Sequence, residues 1–218
     1  MTTPLQIWIT VALLAVGTTR AVDAQTAAPR AGADTTRPRA TAADVQFMQR
    51  MIGHHAQALA MAALLPSRTQ RADMRLIGER ITVSQRDEIA TMRRWLVRHG
   101  ATVPDTAPPL PRDMTHDMAG HAMDHAMAAH DSLMPGMLTP AEMDRLAKTT
   151  GPEFDRLFLE SMIRHHDGAL QMVAKLFATP RAGQDAEVFA FASDDEADQR
   201  AEIARMRTLL AAMPSGAR

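Results

Sequence analysis

The chain has 218 residues and lacks both cysteine and tyrosine. Without thiols it has no disulfides, no thiolate metal site, no cysteine nucleophile and no cysteine-anchored lipid. Aromatic residues make up only 4%, too few for a base-stacking surface. There is no basic excess either: 24 Lys+Arg stand against 25 Asp+Glu, for a net charge of -1, which argues against nucleic acid as a partner. What the chain does have is 46% hydrophobic and 22% charged residues, the balance of a folding domain long enough to bury a core. It also has 17 Met and 9 His, and their placement carries the rest of the reading.

The one long apolar run, Leu5 to Gly17, is short for a membrane span and ends in Val22-Asp23-Ala24-Gln25. This predicts a signal peptide at 1–24, cut after Ala24, and a periodic-free, flexible leader at 25–40. No Lys or Arg precedes the run, so an uncleaved anchor is the alternative. Both place the domain outside the cytoplasm, periplasmic or secreted, with no stable membrane span after cleavage.

The chain repeats itself. Phe47, Met51, His54, His55, Ala58, Leu59, Met61 and Leu65 recur as Phe158, Met162, His165, His166, Ala169, Leu170, Met172 and Leu176, all at an offset of 111. Gln85, Glu88, Ile89, Met92 and Leu96 recur as Gln199, Glu202, Ile203, Met206 and Leu210 at an offset of 114. Each block has the three-and-four spacing of a helix stripe. Thr41 with Asp44 offers a start and Pro66 a stop for the first helix. The others are expected over 72–99, with Gly100 as stop, over 152–178, with Thr150 as cap, and over 185–212. The stripes of the second and fourth are Ile81, Gln85, Glu88, Met92, Trp95 and Asp195, Gln199, Glu202, Met206, Leu209. Short connections make each repeat a helical hairpin, at 41–100 and 139–213, and two hairpins predict an all-α four-helix bundle. The link at 101–138 is longer than a bundle needs, and a short helix should follow Thr139-Pro140.

Each repeat sets two adjacent His in an apolar stripe and a Gln and a Glu on the stripe facing it. A buried polar group without a partner costs about 1–3 kcal/mol, so these groups need each other, water or a metal. In one reading His54 or His55 donates to Glu88, and His165 or His166 to Glu202, fixing helix register. In the other, Met51 and Met61 around His54, and Met162 and Met172 around His165, add thioethers. Imidazole with thioether suits Cu(I) and soft relatives such as Ag(I). A Met stripe is also ordinary core filler. Iron is the lesser candidate, because a carboxylate-bridged di-iron bundle uses Glu-x-x-His and neither His pair has one.

The link adds His116, His121, His125 and His130 with Met114, Met118, Met123, Met127, Met134 and Met137, a composition that reads as metal binding. An Ala-rich amphipathic helix laying Met on the bundle is the alternative. His99 stands at a helix end, where it suits the dipole. Asp194, Asp195, Glu196 and Asp198 are expected to begin a solvated face.

Met51-Ile52-Gly53-His54-His55 and Met162-Ile163-Arg164-His165-His166 resemble a motif of the exported family called domain of unknown function 305. Met134-Pro135-Gly136-Met137-Leu138-Thr139, Phe154-Asp155-Arg156-Leu157-Phe158-Leu159 and the two Gln-x-x-Glu-Ile-x-x-Met blocks are similar to it as well. The resemblance covers about 41–213 and implies a ferritin-like four-helix bundle, with some members tied to periplasmic copper handling. It implies no agreed catalytic activity. The first repeat departs at Gly53, and at Gln57 where the second has Gly168.

The sequence thus predicts an exported copper-binding protein that sequesters, buffers or transfers Cu(I), and Ag(I) as well, in a metal-resistance role. The partner expected is the metal ion, with a copper transporter or another exported copper protein behind it; an oligomer is compatible. The alternatives are a ferritin-like di-metal oxidoreductase and a metal-free interaction module with structural His–Glu pairs. No nucleophile-base set or phosphate loop is evident, so the reading is not an enzyme.

Overall fold

Thr41 opens the first helix with the expected capping box. Its hydroxyl accepts from the Asp44 N–H at 3.2 Å, and the Asp44 carboxylate accepts from the Thr41 N–H at 2.7 Å. A computed structural model describes residues 39–105 and 133–214. Among them it is all-helical, with no strand. The helices are α1 (Ala42–Ala62), α2 (Leu65–Arg68), α3 (Ala72–Arg98), α4 (Pro140–Lys148), α5 (Gly151–Ala178) and α6 (Ala186–Ala211).

The ends differ from expectation in two places. Pro66 does not stop α1, which ends at Ala62; it sits in the first turn of α2, where a missing N–H costs nothing. The Thr150 side chain caps nothing, and α5 is instead begun by Gly151 and Pro152. Elsewhere the signals hold. Gly100 takes φ 63° and lets the Ala101 N–H return to the Leu96 carbonyl at 2.9 Å. His99 bonds the Trp95 carbonyl at 2.8 Å and stacks on the indole. Thr139 and Glu142 form a second capping box at the start of α4. The Asp185 carboxylate caps α6 by accepting from the Glu187 and Val188 N–H groups, both at 3.1 Å.

The four long helices close a ring of contacts. α1 packs on α3, α5 on α6, α1 on α5 and α3 on α6. Each repeat is therefore one hairpin, and the hairpins bury their stripes against each other. The buried apolar side chains fall into two clusters. One holds Met61, Leu65, Met74, Ile81, Phe154, Phe158, Met162 and Met206. The other holds Phe47, Met51, Ile52, Met92, Trp95, Met172 and Phe191. On each long helix a polar stretch lies between its contributions to the two clusters: His54 and His55 on α1, Gln85 and Glu88 on α3, His165 and His166 on α5, Asp195 and Gln199 on α6. Burial of each large apolar side chain stabilises by about 1.5–3 kcal/mol, and that is what holds this polar layer inside.

The end of the long link is also part of the packed structure. Met134 to Leu138 crosses α1 and α5 as a strap. The Gln57 amide clamps it, donating to the Leu138 carbonyl at 2.9 Å and accepting the Leu138 N–H at 2.7 Å. Leu138 is buried in the core. Gly136 turns at φ 76°, pressed against the backbone of Arg164 and Gly168, and a Cβ on Gly168 would collide with the Pro135 carbonyl. Gln57 and Gly168 are equivalent positions of the two repeats; one holds the strap and the other makes room for it.

Candidate metal centre

Four imidazoles occupy the middle of the layer. His54, His55, His165 and His166 are all buried, as their place in the stripes requires. The repeat-equivalent rings of His54 and His165 meet each other, with centroids 3.9 Å apart. His54 Nε2 lies 2.9 Å from the Pro135 carbonyl of the strap, so it carries the proton and donates. That leaves His54 Nδ1 as a lone-pair nitrogen without a partner, and neither ring nitrogen of His165 makes an aligned hydrogen bond. Burial drives both rings towards the neutral form. It lowers His54 to about 3, with the Pro135 carbonyl opposing and His55 and His166 adding to the shift. It lowers His165 well below its ordinary value, with His54, His166 and His55 acting in the same direction.

His55 and His166 turn to the carboxylates. His166 Nε2 and Glu202 Oε2 are 2.6 Å apart in an aligned hydrogen bond. His55 Nε2 stands 2.7 Å from Glu88 Oε2 and 3.4 Å from Asp195 Oδ1. Yet His55 Nε2 and Glu88 Oε2 make no aligned hydrogen bond, so the first contact is close but off-line. Burial alone would lower His55, but the Asp195 and Glu88 carboxylates outweigh it and raise the ring to about 9. Burial alone would raise Glu88, but His55 and then Ser84, whose hydroxyl donates to Oε1 at 3.0 Å, leave it below the usual value.

One donor atom each from His55, Glu88 and Asp195 lies within 4.8 Å of the others. Around them Asp195 Oδ2, Gln199 Oε1 and both amide atoms of Gln85 are buried without partners, while the Gln199 amide donates to Asp195 Oδ1 at 3.1 Å. A layer with this many unpartnered donors and acceptors, imidazole and carboxylate together, fits a cation.

The structure brings His54, His55, His165, His166, Glu88 and Glu202 into one layer. Met51 and Met172 are buried in one apolar cluster beside it, Met61 and Met162 in the other. His116, Met118, His121, Met123, His125, Met127 and His130 lie outside the described residues, as do the signal peptide and the leader up to residue 38. Asp195 is a correction: it belongs to no solvated face but is buried beside His55, unlike exposed Asp194 and Asp198. Its repeat position is that of Ile81, one helical turn before Gln199, and that place on the stripe was the signal. The Pro135 carbonyl, partner of His54, had no signal in the helix periodicity.

The family model described as a domain of unknown function, DUF305, matches residues 44–210. The chain belongs to the DUF305 family. Among solved structures, this DUF305 protein is similar to a DUF305 fragment from Deinococcus radiodurans, at 33% identity over 80% of this chain and 99% of that one, TM-score 0.61. It is similar to a DUF305 protein from Streptomyces coelicolor, at 26% identity over 81% and 98%, TM-score 0.61. It is also similar to CopM in a Cu(II)-bound form, at 25% identity over 77% and 95%, TM-score 0.54. No curated protein matches it. Among the described residues of this DUF305 protein, no helix is long and apolar enough to cross a membrane.

Proposed function

We propose that this protein is an exported copper-binding protein that holds the ion in the polar layer and gives it up to a transporter or another exported copper protein. One observation carries the reading: the donor atoms of buried His55 and Asp195 and half-buried Glu88 lie within 4.8 Å of one another, with unpartnered atoms among them. The likeness to CopM, which is known in a Cu(II)-bound form, supports copper as the ion. Nitrogen and oxygen donors suit Cu(II). For Cu(I) and Ag(I) the softer donors of the reading are Met51, Met61, Met162 and Met172, at the borders of the layer, and the His and Met residues from His116 to His130. Export rests on the apolar run and the cut expected after Ala24.

Titration of the full chain against a competing chelator, with thermal melting, tests this. Binding in the layer raises the melting temperature by mass action, and Asp195→Asn abolishes that rise. Unchanged melting in excess copper would favour the metal-free module.

A second reading has an observation of its own. Asp195 brings the carboxylates of the layer to three, beside His55 and His166, which is closer to a ferritin-like di-metal set than the two glutamates alone. Bound iron with oxygen consumption would favour that oxidoreductase over copper storage.

A further inference from the structure

The polar layer meets solvent on one side. The imidazole side chains of His55 and His166 are fully buried, and the strap covers α1 and α5 where His54 and His165 meet. On the α3–α6 side the Glu88 side chain is 15% exposed and that of Glu202 is 9% exposed. A depression of about 460 Å³ opens there, with Ser84, Asp198 and Glu202 in its lining. Glu79 adds a third carboxylate to that lining against the guanidiniums of Arg80 and Arg205, leaving it acidic. On the helix that carries Asp198 and Glu202, Asp195 Oδ2 and Gln199 Oε1 are unpartnered, both on side chains that are almost completely buried.

The two repeats are unequal here. Ser84 and Asp198 are equivalent positions, each one helical turn before a glutamate of the layer. The first repeat supplies a hydroxyl, which is engaged by Glu88. The second supplies an exposed carboxylate beside Glu202. Deeper in, the inequality recurs as Ile81 against Asp195. Glu202 itself is held by His166 in an aligned bond, so it faces the depression with its orientation fixed.

We propose that a divalent cation enters across the α3–α6 face, is captured by Asp198 and Glu202, and passes from there to His55, Glu88 and Asp195. The inference rests on the copper reading above. The duplicated His–Glu pairs then have different work: one closes the terminal site, and the other orients a carboxylate on the way in.

The test is stopped-flow quenching of Trp95 emission by Cu(II) at low ionic strength, in a full chain carrying Trp8→Phe so that one of its two tryptophans remains. The phase lost in Asp195→Asn is loading of the layer. Asp198→Asn should slow that phase about three- to tenfold, slow chelator-driven release by a like factor, and lose its effect as salt screens the port. Gln57→Ala, which frees the strap on the opposite side, should leave the loading rate unchanged. An unaltered rate in Asp198→Asn, or faster loading in Gln57→Ala, would overturn the route while leaving the site standing. Absence of any Asp195-dependent phase would overturn the copper reading and the route with it.

Discussion

Asp195 stands where the first repeat has Ile81, and that single difference makes a three-donor group around His55 but only a hydrogen-bonded pair around His166. Glu202 therefore acts on stability through that pair. Glu202→Ala should cost about 1–3 kcal/mol in chemical denaturation of the metal-free chain, because it leaves His166 buried without its acceptor. The imidazoles also set a pH profile. His55, ordinarily near 6.5, is raised to about 9, so its contribution is complete below about 6.5 and is lost as pH rises through about 9. His54 is lowered to about 3, so the unfolded chain takes up a proton below 6.5 that the folded chain refuses, and stability falls as pH drops from 6.5 towards 3. Metal-free melting should thus peak near pH 6.5 and fall as pH rises towards 9, and a curve level or rising from 6.5 to 9 would contradict the placement of His55. At this scale the sequence showed that the four His and two Glu turn inward, because helix periodicity sets facing. It did not show which His meets which Glu, since adjacent residues on one helix differ by a rotation that only the packed partners decide. Asp195 was set on the inward stripe by its spacing and on a solvated face by its company, a run in which Asp194 and Asp198 are indeed exposed.

Two elements hold the layer in place beyond the helices themselves. The strap is one: Gln57 grips it by two hydrogen bonds, and Gly168 leaves the space its backbone fills. Gly168→Ala must push the Pro135 carbonyl away from His54, so the expected result is a loss of about 1–3 kcal/mol and a changed environment of the His54 ring, seen in imidazole nitrogen spectra. Unchanged stability and an unchanged ring would place the strap elsewhere. Asp44 is the other. It completes the cap of α1 and accepts the Gly183 N–H at 2.6 Å, tying the start of the first hairpin to the loop of the second. Asp44→Ala removes both and should cost about 2 kcal/mol or more, against about 1 kcal/mol for a cap alone. Helix ends with a chemical signature, such as Thr41-Asp44, Gly100 and Thr139-Pro140, were legible. The strap was not, because a backbone crossing two helices has no period; its traces were the Met134–Thr139 phrase and the departures at Gln57 and Gly168.

At the scale of the molecule, two copies of one hairpin place equivalent residues opposite each other, so His54 meets His165 and the two apolar clusters draw equally on both repeats. Duplication made the helical fold readable, since matched stripes in the same order demand matched faces. It left the equality of the halves open, and their inequality lies at positions where the repeats no longer match, such as Ile81 against Asp195. The ion-binding group is the claim on which the functional account stands. Crystals of the full chain grown with Cu(II) and measured at the copper absorption edge test it directly. The expected result is an anomalous peak between His55 Nε2 and the Glu88 and Asp195 carboxylates that disappears in Asp195→Asn. Copper peaks confined to other parts of the chain, with this group unchanged, would contradict it.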